Sequence, residues 1–314
     1  MTIPATMKVV RITQFGGPEV LRLESIPVPK PGEGELLVQV AAAGVNPVDF
    51  KIRGGKYPAV KQDKLPFIMG RDVAGTVVEV GHAATGFAAG DAVIAMPGLG
   101  RGGYAEYAVV KVTEAAKKPE VLDVVQAGAV PLAALTAWQG LFKHGQLKTG
   151  QRLLVQGGAG GVGHFAIQFA KAKGAQVITT ASSAHIDFLR RLGADQVIDY
   201  EAQRFEEAVA EVDVVFDLIG GEVQERSWQV LKRGGVLVST LNEPSKEKAA
   251  AAGARGLRYT VTESGEDLAA IVKLIEAGKV KPVVTKTYQL REAAAAQQFL
   301  ENEHPEGKVV LSIN

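Results

Sequence analysis

Apolar residues follow one pattern in the first part of the chain and another in the rest. From Met7 to about Gly128, short apolar runs alternate with glycine and proline clusters, a pattern typical of β-strands joined by turns. Strands are predicted at residues 8–14, 36–45, 73–80, 92–96 and 104–110. We expect this part of the chain to form a distorted barrel.

From Pro131 onward the spacing of apolar residues becomes helical, and predicted strands then alternate with helices. The six strands are predicted at residues 153–156, 176–181, 196–198, 213–218, 235–240 and 257–261, and the helices at 186–192, 205–210, 223–231, 245–252 and 267–277. Such alternation indicates an α/β fold with a doubly wound parallel sheet. The predicted domains are residues 1–128, completed by 280–314, and residues 129–279.

The first strand of this predicted sheet runs through a glycine cluster directly into a helix. Gly158, Gly160 and Gly163 fit the pattern G-x-G-x-x-G, and Gly161 and Val162 lie in the same turn. In that pattern the first glycine allows a tight turn, the second lets the backbone approach a pyrophosphate, and the third lets helix pack on strand. The phosphates would lie at the positive end of the helix. The βαβ context predicts dinucleotide binding.

The end of the second strand indicates which dinucleotide is bound. NAD sites usually carry an acidic residue there that holds the ribose 2′-hydroxyl. This chain has Ser182 and Ser183 instead, followed by His185, Arg190 and Arg191. Small hydroxyls leave room for a 2′-phosphate, and a nearby cation would pair with it, so the sequence favours NADP(H). For each arginine, a solvated helix face is an equally good interpretation.

Composition and charge restrict the class of protein further. The chain has 314 residues, a net charge of +1 and no cysteine. The small net charge gives no reason to expect nucleic acid or an anionic membrane as a partner. The absence of cysteine excludes disulfides, thiolate nucleophiles and cysteine-ligated zinc. With no apolar stretch long enough to cross a bilayer and no signal-peptide pattern, we expect a cytoplasmic protein.

Five local motifs are similar to those of one family: residues 16–21 (GGPEVL), 43–49 (AGVNPVD), 90–93 (GDAV), 133–138 (AALTAW) and 157–163 (GGAGGVG). Together they resemble the zinc-independent quinone oxidoreductase branch of the medium-chain dehydrogenase/reductase superfamily. The resemblance covers nearly the whole chain. It implies a GroES-like first domain, a Rossmann second domain, and a homodimer in which the sixth strand pairs with its copy at an exposed sheet edge.

The chain departs from the zinc-dependent members of this superfamily at their metal site. Where they carry Gly-His-Glu, this chain has Gly70-Arg71-Asp72, and arginine offers no lone pair to a metal. The five histidines, at positions 82, 144, 164, 185 and 304, show no ligand spacing. We therefore expect no metal site. Without a Lewis acid, the favoured reaction is reduction of an activated acceptor, a quinone or an α,β-unsaturated carbonyl compound.

The resemblance also implies residues on the substrate side, in segment 46–57. Asn46 would donate a hydrogen bond to the developing oxyanion, Tyr57 would steer the substrate, stack on it or pass a proton through water, and Asp49 would lie beside them. Simpler interpretations remain open. Asn46 starts a turn, Asp49 caps a helix, and Tyr57 is a packing residue.

For the cofactor, the resemblance implies contacts from several further segments. Thr136 would meet the cofactor, unless it is an ordinary hydroxyl inside a helix. The loops at Ile219 and Leu241 would run along the nicotinamide half, Tyr200 would flank the adenine or the 2′-phosphate, and Lys308 would reach the cofactor from the final segment.

These inferences combine into one leading hypothesis and two alternatives. The leading hypothesis is an NADPH-dependent oxidoreductase that reduces quinones or α,β-unsaturated carbonyl compounds by hydride transfer without zinc. The alternatives are a zinc-free alcohol or aldehyde dehydrogenase, and a redox sensor that binds NADPH with little turnover.

Overall fold

A computed structural model of the chain describes residues 2–313. Its strands are β1 (Thr6–Ile12), β2 (Arg22–Pro27), β3 (Glu35–Val45), β4 (Phe67–Ile68), β5 (Val73–Val80), β6 (Ala92–Ala95), β7 (Tyr107–Lys111), β8 (Ala115–Lys117), β9 (Arg152–Gln156), β10 (Gln176–Ala181), β11 (Gln196–Asp199), β12 (Val212–Asp217), β13 (Leu231–Ser239), β14 (Arg255–Arg258), β15 (Val284–Gln289) and β16 (Lys308–Ser312).

The α-helices lie between these strands and near the end of the chain. They are α1 (Pro47–Arg53), α2 (Val124–Gly128), α3 (Pro131–Trp138), α4 (Gly163–Ala172), α5 (Ile186–Arg191), α6 (Phe205–Ala208), α7 (Gly221–Ser227), α8 (Lys246–Ala251), α9 (Gly265–Glu276) and α10 (Ala293–Asn302). Helix α3 continues directly into a π-helix, Gln139–His144.

The chain divides into two compact units, of which the second comprises Thr136–Thr262 and Ala277–Lys281 and the first the remaining residues. Helix α9 belongs to the first unit, although it lies inside the segment 129–279 that the sequence assigned to the second domain. The reason is close packing, since a Cβ atom at Gly265 would lie 2.5 Å from the Ala115 carbonyl oxygen of β8. The domain limits drawn from the sequence remain a prediction.

The first unit is built on strand β3, which is long enough to pair with three neighbours. Strands β5, β7 and β16 all run antiparallel to it, and β16 brings the end of the chain back so that Val309 lies opposite Val45. The full order of this seven-stranded sheet is β15-β16-β3-β5-β6-β8, with β7 on β3, and a second sheet has the order β2-β1-β4. Alternate β3 residues such as Leu36, Val38 and Val40 are buried in the core of this GroES-like unit.

The second unit contains a six-stranded parallel sheet in the order β11-β10-β9-β12-β13-β14. This confirms the predicted doubly wound Rossmann sheet. The strand order reverses between β9 and β12, and open sheets of this kind bind ligands beyond the carboxyl ends of the strands at such a point. β14 ends at Arg258, three residues before the predicted end, because the next residues turn away from the sheet toward the π-helix.

Candidate cofactor and substrate sites

The glycine turn after β9 combines close packing with one open position. A Cβ atom at Gly158 would overlap the Thr179 hydroxyl, and one at Gly163 would overlap the Gly157 carbonyl oxygen. At Gly160, in contrast, the nearest atom to an added Cβ is the Gly157 oxygen at 3.8 Å. Gly158 and Gly163 are therefore required by the protein's own packing, whereas Gly160 borders open space.

Helix α4 begins at the end of this turn and provides its electrostatics. The His164 N–H donates to the Gly160 carbonyl oxygen at 3.0 Å, so Gly161, Val162 and Gly163 belong to the first helical turn. The N–H groups of a first turn have no acceptor within the helix, and they carry the positive end of its dipole. An open backbone beside such N–H groups fits a pyrophosphate.

Several predicted cofactor contacts directly follow neighbouring parallel strands. Ser182 and Ser183 follow β10, Tyr200 follows β11, Ile219 lies two residues after β12, and Leu241 lies two residues after β13. The structure thus brings them to the same edge of the sheet as the glycine turn. Tyr200 is 59% exposed and Ile219 51% exposed, so both side chains are accessible at this edge.

Ile219 lies directly against the glycine turn. Its Cδ1 atom would be 2.9 Å from a Cβ atom at Gly157, whose φ of +85° favours glycine. An exposed apolar side chain beside an open backbone cradle suits the uncharged parts of a dinucleotide.

Asp217, at the end of β12, organises the Ile219 loop and was missed by sequence reasoning. Its buried carboxylate accepts hydrogen bonds from the N–H groups of Ile219 (3.0 Å) and Gly220 (2.8 Å), from Gln224 Nε2 (2.9 Å) and from the Ser239 hydroxyl (2.9 Å). The available signal was an aspartate at the end of a buried strand, three residues before a glycine pair.

The serines after β10 and the nearby cations have different surroundings. Ser182 is half-buried and precedes the 3₁₀-helix Ser183–His185, whereas Ser183 is exposed. Arg190 is exposed and lies 3.6 Å from the Asp187 carboxylate, and Arg191 is exposed as well.

In the first unit, Asn46, Asp72 and Lys308 form a buried polar network. Asn46 Nδ2 donates to Asp72 Oδ2 at 2.7 Å and lies 3.4 Å from the Gly44 carbonyl oxygen. The Lys308 ammonium donates to Asn46 Oδ1 and to the Val45 carbonyl oxygen (3.1 Å), and lies 3.5 Å from Asp72 Oδ2. The Asn46 amide is thus held from both sides, and an oxyanion would have to replace one of its present acceptors.

Asp49 and Tyr104 extend this network. Asp49 Oδ2 accepts the Asn46 N–H (2.8 Å) and the Tyr104 hydroxyl (2.9 Å), so Asp49 also caps α1. Among the residues that the structure describes, Asp49 Oδ1 is buried without a hydrogen-bond partner. Burial, with a smaller contribution from the Asp72 charge, raises the pKa of Asp49 to about 7.

The remaining predicted site residues lie in different surroundings. Tyr57 is half-buried against the core of the first unit, in a turn where its carbonyl accepts the Val60 N–H at 3.0 Å. Thr136 is buried in helix α3, and its carbonyl oxygen accepts the Tyr259 hydroxyl.

Arg71 stands where zinc-dependent members of the superfamily have histidine. Its guanidinium donates to the Pro97 carbonyl oxygen (3.1 Å) and to Glu263 (2.6 Å). Between residues 2 and 313, no three histidine, aspartate or glutamate side chains are grouped as a metal site requires. A search of the same residues for a helix long and apolar enough to cross a membrane also finds none.

Two protein-family profiles match the chain. An alcohol dehydrogenase GroES-like domain profile matches residues 32–120, and a zinc-binding dehydrogenase profile matches residues 192–311. The fold and the glycine turn therefore define the class of protein, which is a dinucleotide-dependent oxidoreductase with a GroES-like unit and a Rossmann unit.

Individual relatives narrow this class. The chain is 38% identical to the 2-methylene-furan-3-one reductase of Solanum lycopersicum and 40% identical to the chloroplastic NADPH-dependent alkenal/one oxidoreductase of Arabidopsis thaliana; each alignment covers 99% of this chain and 80% of the relative. The quinone oxidoreductase structure from Coxiella burnetii superposes with a TM-score of 0.91 at 36% identity, covering 98% of this chain and 100% of the other. The chain belongs to the zinc-independent quinone oxidoreductase branch of the medium-chain dehydrogenase/reductase superfamily.

Proposed function

We propose that this protein is an NADPH-dependent reductase of α,β-unsaturated carbonyl compounds and quinones. The observation that carries the proposal is the glycine turn, in which Gly160 alone of the three motif glycines borders open space at the carboxyl edge of the parallel sheet. When bound there, NADPH supplies a hydride. Serines in place of an acidic residue after β10 favour the 2′-phosphorylated cofactor.

The names of the relatives support the substrate class. Alkenals, alkenones and methylene-furanones share a carbon–carbon double bond conjugated to a carbonyl group, and quinones contain the same unit. Hydride transfer to the β-carbon moves charge onto the carbonyl oxygen, and the α-carbon then takes a proton. Such acceptors need positioning and a hydrogen-bond donor more than a metal ion.

On the substrate side, Asn46, Asp49 and Tyr57 are part of the proposal. The Asn46 amide is the donor for the developing oxyanion, and Asp72 and Lys308 orient it. Asp49 fixes the Asn46 backbone through its 2.8 Å hydrogen bond. Tyr57 contacts the substrate. On the cofactor side, we assign contacts with the dinucleotide to Thr136, Tyr200, Ile219 and Leu241. Lys308 is assigned to the cofactor as well, through the Asn46 network.

The test is cofactor oxidation with a panel of acceptors followed by product analysis. We expect rapid NADPH consumption and slow NADH consumption with a benzoquinone, a linear enone and a linear enal, and none with a saturated aldehyde. With NADPH deuterated at C4 and an enone, the deuterium should appear on the β-carbon and a solvent proton on the α-carbon. Turnover of the saturated aldehyde, or deuterium on the carbonyl carbon, would contradict the proposal.

Two further parts of the proposal concern assembly and location. Among the described strands, β14 pairs with β13 alone, so its other edge is open to a second copy of the chain, and we infer a homodimer. Light scattering on the purified protein should give twice the mass of the chain.

A reducing compartment such as the cytoplasm fits the cysteine-free sequence, and imaging of the tagged full-length protein tests this location.

A further inference from the structure

The segment that follows β14 enters the hydrogen-bond ladder of helix α3. The Tyr259 hydroxyl donates to the Thr136 carbonyl oxygen, and the Gly140 N–H hydrogen-bonds the same hydroxyl. In an α-helix these two backbone groups, four residues apart, would pair with each other. The phenol of Tyr259 is thus inserted at one rung of the helix.

The helix changes its geometry at this rung. The π-helix Gln139–His144 follows α3 at once, and the Gly145 N–H donates five residues back, to the Gly140 carbonyl oxygen at 2.8 Å. A side chain inserted into the ladder is an established cause of such irregularity, and π-turns are frequent at functional sites. Gly140 makes room for the phenol, since an added Cβ atom there would lie 2.6 Å from the Tyr259 hydroxyl.

A second pair of residues joins the same two segments by hydrogen bonds. Gln139 Nε2 donates to the Thr262 carbonyl oxygen at 2.9 Å, and the Thr262 N–H donates to Gln139 Oε1 at 3.0 Å. The residues after β14 therefore hydrogen-bond to the helix at two neighbouring places, between Thr136 and Gly140 and at Gln139. The resulting geometry of the chain at Thr136 is determined from outside the helix, by groups more than a hundred positions later in the sequence.

The surroundings of Tyr259 keep it in one orientation and one protonation state. The side chain is buried, and its ring lies 4.5 Å from the His144 ring, centroid to centroid. Burial raises the pKa of Tyr259 well above its ordinary value. The hydroxyl therefore remains a neutral donor at every pH at which the protein would be assayed.

We propose that Tyr259 is a positioning residue for the cofactor: its hydroxyl replaces a helix rung and so holds Thr136 where the dinucleotide meets it. This inference rests on the proposed function, in which Thr136 contacts NADPH. It adds a residue that acts through Thr136 and that no sequence motif indicates.

The first test is a comparison of NADPH affinities, measured by calorimetry without any acceptor. Tyr259→Phe should weaken binding about tenfold, a typical consequence of one lost buried hydrogen bond. Tyr288→Phe, the same change at a half-buried tyrosine of β15 in the first unit, should bind as the wild type does. Thr136→Val should also weaken binding, and Tyr259→Phe added to Thr136→Val should cause little further loss.

Non-additivity distinguishes positioning from general stabilisation. If Tyr259 only stabilised the fold, Tyr259→Phe would lower the melting temperature and leave the NADPH affinity unchanged, which would overturn the inference. Independent, multiplying losses in the double variant would also overturn it. Wild-type affinity in Thr136→Val would show that Thr136 is not a cofactor contact, and the inference would fail with it. Absence of NADPH binding by the wild type would instead refute the proposed function itself.

Hydrogen exchange on the protein without cofactor provides an independent readout. We expect the Gly140 amide to exchange several-fold faster in Tyr259→Phe than in the wild type, with amides of β9 unchanged. Equal protection of Gly140 in both proteins would show that the phenol does not maintain this rung.

Discussion

The glycine turn of the second unit and the Asn46 network of the first unit prepare binding in opposite ways. The turn removes side chains, so that backbone N–H groups and a helix end border open space at Gly160. The network buries charged side chains and satisfies them with one another: Asp72 is 0% exposed and Lys308 3% exposed. A phosphate site therefore requires open space beside backbone N–H groups. The orientation of one amide requires instead that buried partners occupy the space around it.

The largest effect should come from removing one charge of the buried network. Asp72→Ala leaves the Lys308 ammonium, the Asn46 amide and the Leu132 N–H without the carboxylate that now accepts or pairs with them. An unpaired buried charge costs about 3–5 kcal/mol. Urea denaturation should show a loss of that size.

The matched variants for this prediction are Asp72→Asn, which keeps the shape, and Lys308→Met. Because the two charges depend on each other, the double variant Asp72→Ala with Lys308→Met should lose less than the sum of the single variants. Additive losses would show that the Lys308 and Asp72 charges do not support each other.

The second prediction concerns pH and Asp49. Its folded-state pKa is raised from 3.8 to about 7, so the protonated carboxyl stabilises the fold at low pH, and this stabilisation is lost as the pH rises from about 4 to 7. The loss would be up to about 4 kcal/mol. Asp49→Asn imitates the protonated carboxyl and should be the more stable protein at pH 7.5.

The measurement is denaturation across this pH range in the wild type, in Asp49→Asn and in Asp63→Asn, which changes an exposed carboxylate. Only Asp49→Asn should flatten the profile. A wild-type profile that rises between pH 4 and 7 and keeps its slope in Asp49→Asn would show that Asp49 is ionised in the fold.

The third prediction separates space from packing within the glycine turn. Gly160→Val should weaken NADPH binding about hundredfold or more, roughly 2.7 kcal/mol, and leave the melting temperature nearly unchanged, because its side chain enters open space. Gly163→Ala should lower the melting temperature, because its Cβ atom would overlap the Gly157 carbonyl oxygen. Tight NADPH binding by Gly160→Val would remove the main support for the cofactor site.

The smallest effect is expected at the end of β10. Ser183→Asp places a carboxylate where the 2′-phosphate is proposed to lie, and should weaken NADPH binding about tenfold, roughly 1.4 kcal/mol, with little loss for NADH. Ser183→Ala controls for the loss of the hydroxyl. An unchanged ratio of the two affinities would place the 2′-phosphate elsewhere.

Local patterns predicted the Rossmann unit well. The six-stranded parallel sheet follows from features within a few residues of each other: an apolar strand, a glycine turn and an amphipathic helix. The contact of Gly160 with a pyrophosphate rests on the same features and remains a prediction. Backbone conformation and helix ends depend on neighbours in the sequence, so such features can be predicted without a structure.

The Asn46 network and the Tyr259 contact could not be predicted in this way. Lys308 and Asn46 are 262 positions apart, and Tyr259 and Thr136 are 123 apart. The cofactor contact that the resemblance implies for Lys308 remains a prediction, and only the structure shows that its ammonium also contacts Asn46, Val45 and Asp72. Asp217 lies at the end of a buried strand before a glycine pair, but only its four hydrogen-bond partners show that it organises the Ile219 loop.

The sequence by itself determined the fold class, the position of the glycine turn and the absence of a histidine at position 71. The tertiary structure alone decided which polar side chains meet: Asn46 with Asp72 and Lys308, and Tyr259 with the helix of Thr136. The physical reason is the range of the forces involved. Strand, turn and helix propensities act over a few residues, whereas a buried hydrogen bond joins whatever the packed sheets bring within about 3 Å.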